Sequence, residues 1–468
     1  MPTSKVIIIG GGPAGLAAAH ELSEREISNV ILEQDRQVGG LSKTVPYHGF
    51  YFDIGGHRFF SKNQEVQSLW SNTLKTDFLI RPRQSRIYYR GKFFHYPLQV
   101  GNALAGLGLY NSLRVLFSYF KARLFPITPE LSFADWVSNR FGRVLFSIFF
   151  QTYTEKVWGI TCNQLSADWA TQRIRNLSLS RAVLNALGVG RDRKVASLID
   201  KFHYPRLGPG QMYEAMADKI KKKGGEIYQG QRVMEIQHLQ GRITQVSSWG
   251  AGGPLFLPAP HVFSSMPITE LVQKMRPVAP DAVIRAAQSL GYRSIITVNL
   301  LLHKPLPLSD NWIYLHAPEV RAGRLQLYQN WSPYMVPGDG SSSVSFEYFC
   351  FEDDELWNMA DSNLINLAQA DLKLLGLGEG SEVYDGLVLR YAKAYPVYAD
   401  GHDGHLRVIR GWLAQFPNLS CIGRYGQFRY NNMDHSILTG ILAARRLMGN
   451  DVDPWSVNAE GEYLEERS

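Results

Sequence analysis

The chain has 468 residues, about three times the usual length of one domain, so several domains or one domain with large insertions are expected. With 45% hydrophobic and 19% charged residues it reads as a globular protein, which excludes disordered, collagen-like and coiled-coil classes. The 49 Lys and Arg against 42 acidic residues leave a formal charge of +7, which suits an anionic small molecule as well as any nucleic acid.

Lys5 to Ile9 is a short β-branched apolar run, and the glycines after it lead into an Ala- and Leu-rich segment. The pattern predicts strand, tight turn and helix, and Asn29 to Glu33 then reads as a second, parallel strand of a βαβ unit. Basic residues cluster at Arg81, Arg83, Arg86, Arg90 and Lys92, and again at Lys219 and Lys221 to Lys223. Neither cluster interleaves aromatics as a nucleic-acid platform would, so a solvated face or an anionic-ligand channel is expected. From Gly101 to Leu187 the pattern is helical, and its apolar stretch Ala103 to Phe125 is interrupted by Arg114, Lys121 and Arg123. That stretch reads as a buried or amphipathic helix rather than a membrane span, with peripheral membrane contact as the minor alternative. A helix and short strands follow from His203 to Pro267. A strand-rich block runs from Ile295 to Tyr395 and includes LQLYQNW, and a last strand, LSCIGRYG, precedes a long closing helix that stops near Gly449 and Asn450. The three cysteines, Cys162, Cys350 and Cys421, lack metal or disulfide spacing, so no metal site is expected. With no signal-peptide pattern at the start, a reducing cytoplasmic compartment is expected.

Gly10, Gly12 and Gly15 form GxGxxG between the first strand and helix. In that context the glycines permit the turn, let backbone approach a pyrophosphate, and let helix pack on strand. Glu33, ending the second strand, is placed to accept hydrogen bonds from a ribose and would repel a 2′-phosphate. An adenosine dinucleotide, FAD or NAD, is therefore the expected ligand.

Beyond Glu33 the segment QDRQVGGLSKT resembles the flavoproteins that include amine oxidases, protoporphyrinogen oxidases, carotene desaturases and UDP-galactopyranose mutases. That likeness implies FAD along Arg36, Gly39 and Gly40, adenine held by backbone at Val233, and a closing helix from about Asp434 aimed at the flavin. Further motifs resemble the mutases in particular: FDIGGHRFFS, YPLQ, KVWGITCNQLSADWATQRI, WIYLHAPEVRAGRLQLYQNWSPY, AYPVY and RYNNMDHS, in that order along nearly the whole chain. The resemblance implies that Gly56 and His57 lie against the flavin and that Gly423, Arg424, Asp434 and Ser436 join the cofactor site. It assigns Tyr96, Gln99, Phe149, Trp158, Trp312, Tyr395, Tyr430 and Asn432 to the substrate, and Arg173 and Arg324 to its diphosphate, with His57 orienting flavin atoms. Two departures stand out: Thr154 occupies the place of a family Asn, and Phe428 and Tyr430 straddle the place of a family Tyr.

The expected fold is α/β: a Rossmann-type FAD-binding domain in three segments (1–95, 201–268, 401–468), a helical substrate region (96–200) and an antiparallel β-sheet substrate domain (269–400). The resemblance implies interconversion of UDP-galactopyranose and UDP-galactofuranose, or a related nucleotide-sugar, through a sugar adduct on N5 of reduced flavin. NAD(P)H is the candidate external reductant and polysaccharide biosynthesis the setting. Two alternatives stay open: an FAD-dependent oxidoreductase of the amine oxidase or desaturase type with an apolar pocket, and a flavin-bound scaffold without turnover.

Overall fold

The computed structural model describes residues 5–96, 98, 100–167, 201–378 and 382–458. Gln99 and residues 168–200, Arg173 among them, lie outside the described residues.

Five short segments far apart in the chain meet in one parallel sheet, in the order Leu419–Cys421, His261–Ser264, Val6–Ile9, Asn29–Leu32 and Glu226–Tyr228. The three central strands are covered on both faces, which is why Val6–Ile9, Asn29–Leu32 and His261–Ser264 are mostly apolar instead of alternating, while the edge strand Glu226–Tyr228 carries polar residues. Val6, Ile8, Ile31 and Phe263 face the helices Pro13–Ser23, Gly210–Lys222 and Met433–Leu447. Ile7, Ile9, Val30, Leu32 and Val262 face the antiparallel meander Gln231–Leu239, Arg242–Gly250 and Gly253–Pro258. Helices Ile268–Lys274 and Asp281–Gln288, in the segment expected to belong to the substrate domain, pack into this second core.

A second sheet has seven strands, in the order Val383–Pro396, Tyr292–Leu302, Ser342–Cys350, Arg324–Gln326, Trp312–Leu315, Ser85–Tyr89 and Lys92–His95. All neighbours are antiparallel except Trp312–Leu315 against Ser85–Tyr89, which run parallel. Two of its strands thus come from residues 85–95, before the helical region. Successive side chains alternate between faces. Val298, Ile313, Leu325 and Phe346 point to the helix Asp361–Leu374 and bury against Leu364, Ala368 and Leu372. The other face carries Tyr314, Arg324, Glu347 and Thr297 opposite one another across four strands, and beside them Trp312, Gln326, Ser345 and Asn299. LQLYQNW, expected as one strand, leaves the sheet after Gln326 and forms a helical turn at Tyr328–Trp331, because Tyr328 and Trp331 bury into an aromatic cluster with Phe50, Phe52 and Tyr204.

The helical region comprises Val100–Leu124, Phe133–Phe141, Arg143–Phe146 and Thr152–Trp158. Ser132 and Asp135 form a reciprocal capping box that starts the second of these. The closing helix begins at Met433, with Asn432 as its N-cap, and ends near Gly449, whose φ of +91° stops it.

The closing helix and the helix after the glycine turn touch backbone to backbone: a Cβ on Gly440 would collide with Ala14 O. We therefore expect Gly440→Ala to cost about 3 kcal/mol of stability, read as a lowered denaturation midpoint at unchanged slope.

Candidate active site

The glycine turn is built as its spacing implies. Gly10 adopts φ +98°, and a Cβ there would strike Ser265 Oγ, while a Cβ on Gly15 would strike Gly10 O. Gly12 differs: the nearest atom to its Cβ position is Gly40 Cα at 3.8 Å, so open space remains beside the start of the helix. That helix has Pro13 in its first turn and no side-chain cap at Gly12, leaving its N-terminus for an anionic ligand. Gly39 donates its N–H to Gly11 O at 2.8 Å, so the second glycine pair lies against the first. Glu33 is buried at the end of its strand and accepts from the N–H of Gly11 (2.6 Å) and of Asp35 (2.7 Å). Burial pushes its carboxyl up, and these two hydrogen bonds oppose the shift. Arg36 is exposed, and its carbonyl accepts from Gln229 Nε2 at 2.9 Å. Val233 is buried in the meander opposite Ser248, next to a bulge at Met234.

On the polar face of the seven-stranded sheet, Glu347 has no solvent exposure and pairs with Arg324 at 2.6 Å. Gln326 Nε2 donates to the other Glu347 oxygen at 2.6 Å, and Arg324 Nη2 donates to the Tyr395 hydroxyl at 3.0 Å. Burial would lower the Arg324 guanidinium, but Glu347 together with Tyr395 and Tyr153 holds it well above its usual range. Its Nε is buried and has no partner among the described residues. Arg324, expected at the diphosphate, is thus a guanidinium already neutralised on one side by Glu347.

The Gly-His loop lies directly on this face. Gly55 has φ +86° and its Cβ position is 3.3 Å from Glu347 Oε1, while that of Gly56 is 3.0 Å from Gln326 Nε2, so larger residues would lift the loop. His57 Nδ1–H donates to Gly55 O at 3.1 Å, which leaves Nε2 as an acceptor. Burial, then Arg424 and Arg324, push this imidazole down to about 3, so it is neutral at physiological pH. Behind the loop, the buried Asp53 accepts from Thr44 Oγ1 at 2.7 Å and from the Tyr204 hydroxyl, while the Tyr328 hydroxyl donates to its carbonyl at 2.9 Å.

Tyr395 and Tyr430 stack with centroids 5.6 Å apart, and Arg424 lies over both rings, at 5.5 Å and 4.7 Å. Arg424 is itself held by the carbonyls of Asn431 (2.9 Å) and Ala394 (3.1 Å), so this expected flavin ligand also forms the wall behind the tyrosines. Trp158 completes that wall, 6.4 Å from Tyr395 and 6.2 Å from Tyr430. Of the two residues straddling the family tyrosine, Tyr430 is the one at the site; Phe428 is turned into the core against Tyr292 and Tyr398.

Tyr96 is exposed and packs on Tyr314, with Arg83 5.8 Å from its ring. Trp312, expected at the sugar, is largely taken into the core, stacked on Trp331 at 5.2 Å with Arg83 over its ring. Phe149 is likewise a core residue, edge-on to Phe94. Asn432 N–H meets His435 Nδ1 at 3.4 Å at the helix cap, and Gly423 N–H donates to Thr439 Oγ1, which in turn donates to Ser436 O. Asp434 and Ser436 are buried in the first turn of the closing helix.

Sequence reading missed Glu347 and Tyr153. Glu347 is a lone acid inside the buried strand SSVSFEYFC, and that contradiction between residue and strand is itself a signal that a cationic partner lies opposite. Tyr153 stacks on His316 at 4.9 Å and lies edge-on to Tyr314, contacts that sequence spacing does not reveal. No His, Cys, Asp or Glu cluster among the described residues could hold a metal, and the three cysteines are free and buried.

Residues 13–448 match the family described as flavin containing amine oxidoreductase. The chain belongs to that family. Curated relatives align over short stretches: bovine amine oxidase [flavin-containing] A is 46% identical over 115 residues, 23% of this chain and 21% of that protein. Protoporphyrinogen oxidase 2 of Arabidopsis thaliana is 35% identical over 65 residues, 14% and 13%. The stretch matched to the zebrafish inactive all-trans-retinol 13,14-reductase covers 8% of that protein. The chain therefore spans only a small part of these relatives' length. A solved structure described as reduced UDP-galactopyranose mutase shares the fold with a TM-score of 0.86 at 23% identity, covering 98% of each chain. A putative protoporphyrinogen oxidase from Exiguobacterium sp. 255-15 follows at 0.72 and 18%, covering 96% and 99%. Family membership implies FAD, and the residues fit it: open space at Gly12, an uncapped helix N-terminus and the Glu33 carboxylate together suit a dinucleotide. No helix among the described residues is long and apolar enough to cross a membrane.

Burial pushes the Asp53 carboxyl up to about 7, so it binds its proton more tightly folded than unfolded. Its contribution to stability is full below about pH 4 and is lost as pH rises through 7, by at most about 1.4 kcal/mol per pH unit. Asp53→Asn should remove that slope, measured as the difference between wild-type and variant unfolding free energies across this range.

Proposed function

We propose that the protein is a flavin-dependent nucleotide-sugar mutase that interconverts UDP-galactopyranose and UDP-galactofuranose or a closely related pair. The observation that carries this reading is the convergence of Arg324, Arg424, Tyr395 and Tyr430 beside the Gly-His loop. Two guanidiniums, one of them shared with Glu347 and the other lying over two stacked phenols, leave a net positive charge that suits an anion, whereas an amine oxidase or desaturase calls for an apolar lining.

Arg324 offers its unpartnered Nε, and the Tyr395 and Tyr430 hydroxyls offer donors, to a diphosphate as charge grows on it during cleavage of the bond to the anomeric carbon. Burial pushes the Tyr395 phenol up to about 12, so it stays a donor at neutral pH. Glu347 keeps Arg324 ionised and fixed in place, limiting the reorganisation needed when the leaving group develops charge. His57, neutral and with Nε2 free to accept, orients a hydrogen-bond donor at the floor of the site. When bound and reduced, FAD would supply the nucleophilic nitrogen that makes ring opening and reclosure feasible without net oxidation. Arg173, by its place in the motif, would add a second bond to the diphosphate, and NAD(P)H would serve as reductant. The second reading, an FAD-dependent oxidoreductase, draws on the names of the curated relatives, whose matched stretches are short.

The test is anaerobic incubation of the FAD-loaded protein with each UDP-galactose ring form, before and after dithionite reduction. Interconversion is expected only after reduction, with Tyr395→Phe slower by about 10-fold and Arg324→Lys by about 100-fold in kcat/KM while the bound-flavin spectrum is retained. Equal turnover in Arg324→Lys, or flavin reduction by an amine or polyene with no interconversion, would overturn the proposal in favour of the oxidoreductase.

A further inference from the structure

The helix Val100–Leu124, kinked at Gly108, buries only part of its apolar surface. Ala103, Val115 and Tyr119 pack inward against the helices that follow. Leu109, Leu113, Phe117, Phe120 and Leu124 recur at helical spacing along the outer face, each between 58% and 79% exposed, and Phe125 continues the ridge at 74%. The expectation of a buried or conventionally amphipathic helix is corrected accordingly: the outward face is apolar as well. A contiguous exposed ridge of this kind marks an interaction surface.

Charge says what that surface meets. From residue 78 to residue 129 the chain carries eight Lys and Arg and no Asp or Glu. Arg114, Lys121 and Arg123 interleave with the ridge on the same helix. Beside it, between the helix and the sheet edge, opens a cleft of about 350 Å³ lined by Arg90, Lys92 and Arg114 together with Tyr89, Asn111 and Ser147. Lys92 Nζ donates to Gly106 O at 2.9 Å, tying the basic sheet edge to the kinked end of the helix. The acid that follows the helix, Glu130, is occupied by Arg140 at 2.8 Å and by Asn139.

We infer that this face docks the protein on an anionic lipid bilayer, the Leu and Phe ridge entering the acyl boundary and the Arg90–Lys92–Arg114 cleft taking a lipid phosphate. Leu and Phe on one side with Lys and Arg alongside is the composition of an interfacial helix, and no spanning helix is needed. A second copy of the chain fits the same face poorly, because a symmetric contact would set the basic rims against one another. Docking of this kind would serve an enzyme whose substrate or product is handed to a membrane-bound acceptor.

The test is sedimentation of the FAD-loaded protein with phosphatidylcholine vesicles, with and without about one-third phosphatidylglycerol. Binding is expected with the anionic vesicles and at least about 10-fold weaker with phosphatidylcholine alone. Phe117→Asp with Phe120→Asp should abolish it, and Arg90→Gln with Arg114→Gln should weaken it about 10-fold, with the flavin spectrum unchanged in both. Because these side chains are exposed, folding is not at stake. Absence of binding to anionic vesicles would overturn the inference, as would equal binding by the Phe117→Asp, Phe120→Asp variant. Light scattering showing a wild-type dimer that the same variant converts to monomer would assign the ridge to self-association instead.

Discussion

A carboxylate without any solvent contact, Glu347, organises the middle of this molecule. A buried charge is tolerable only when paired and hydrogen-bonded, and here Arg324 and Gln326 on the neighbouring strand meet both needs. The two glycines of the Gly-His loop can then lie against that pair, which buries His57, and burial, reinforced by the fields of Arg424 and Arg324, keeps its ring neutral. Sheet, loop and aromatic wall are coupled through one ion pair, and the charge left to meet a ligand depends on how Glu347 shares Arg324.

The division between the two sheets follows the same logic at larger scale. The centre of the parallel sheet is apolar on both faces, so its strands can come from anywhere in the chain provided helices and the meander cover them. The seven-stranded sheet has one apolar face covered by the helix Asp361–Leu374 and one polar face that forms the chamber. The glycine contacts at Gly15 and Gly440 bring the helix after the turn close to its own strand and to the closing helix, as the dinucleotide cradle requires. Asp53, held by Thr44 and Tyr204, anchors the strand from which the Gly-His loop leaves that cradle for the chamber.

The helical region has two faces with different tasks. Its inner side supplies Tyr153 and Trp158 to the chamber wall, while its longest helix turns Leu and Phe outward among basic side chains. In sequence the two faces look alike, since a run of apolar residues all round a helix reads as burial.

Local pattern determined a good deal by itself. The strand, turn and helix at Gly10 to Gly15, the second strand Asn29–Leu32 and the closing helix all follow from β-branched runs, glycine spacing and helix stop signals, because those choices are local. The motif order also selected Tyr395, Tyr430, Arg324 and Arg424, and these meet in one place. Tertiary structure decided the rest. That Arg324 is shared with Glu347, that Tyr430 and not Phe428 faces the chamber, that Trp312 goes to the core stack with Trp331, and that residues 85–95 join the second sheet through a parallel pair are all long-range facts. Composition and spacing specify what each segment can bury. Which partner each buried group meets across more than a hundred residues depends on how the segments pack, because a charge or a ring is satisfied by whatever the fold sets opposite it.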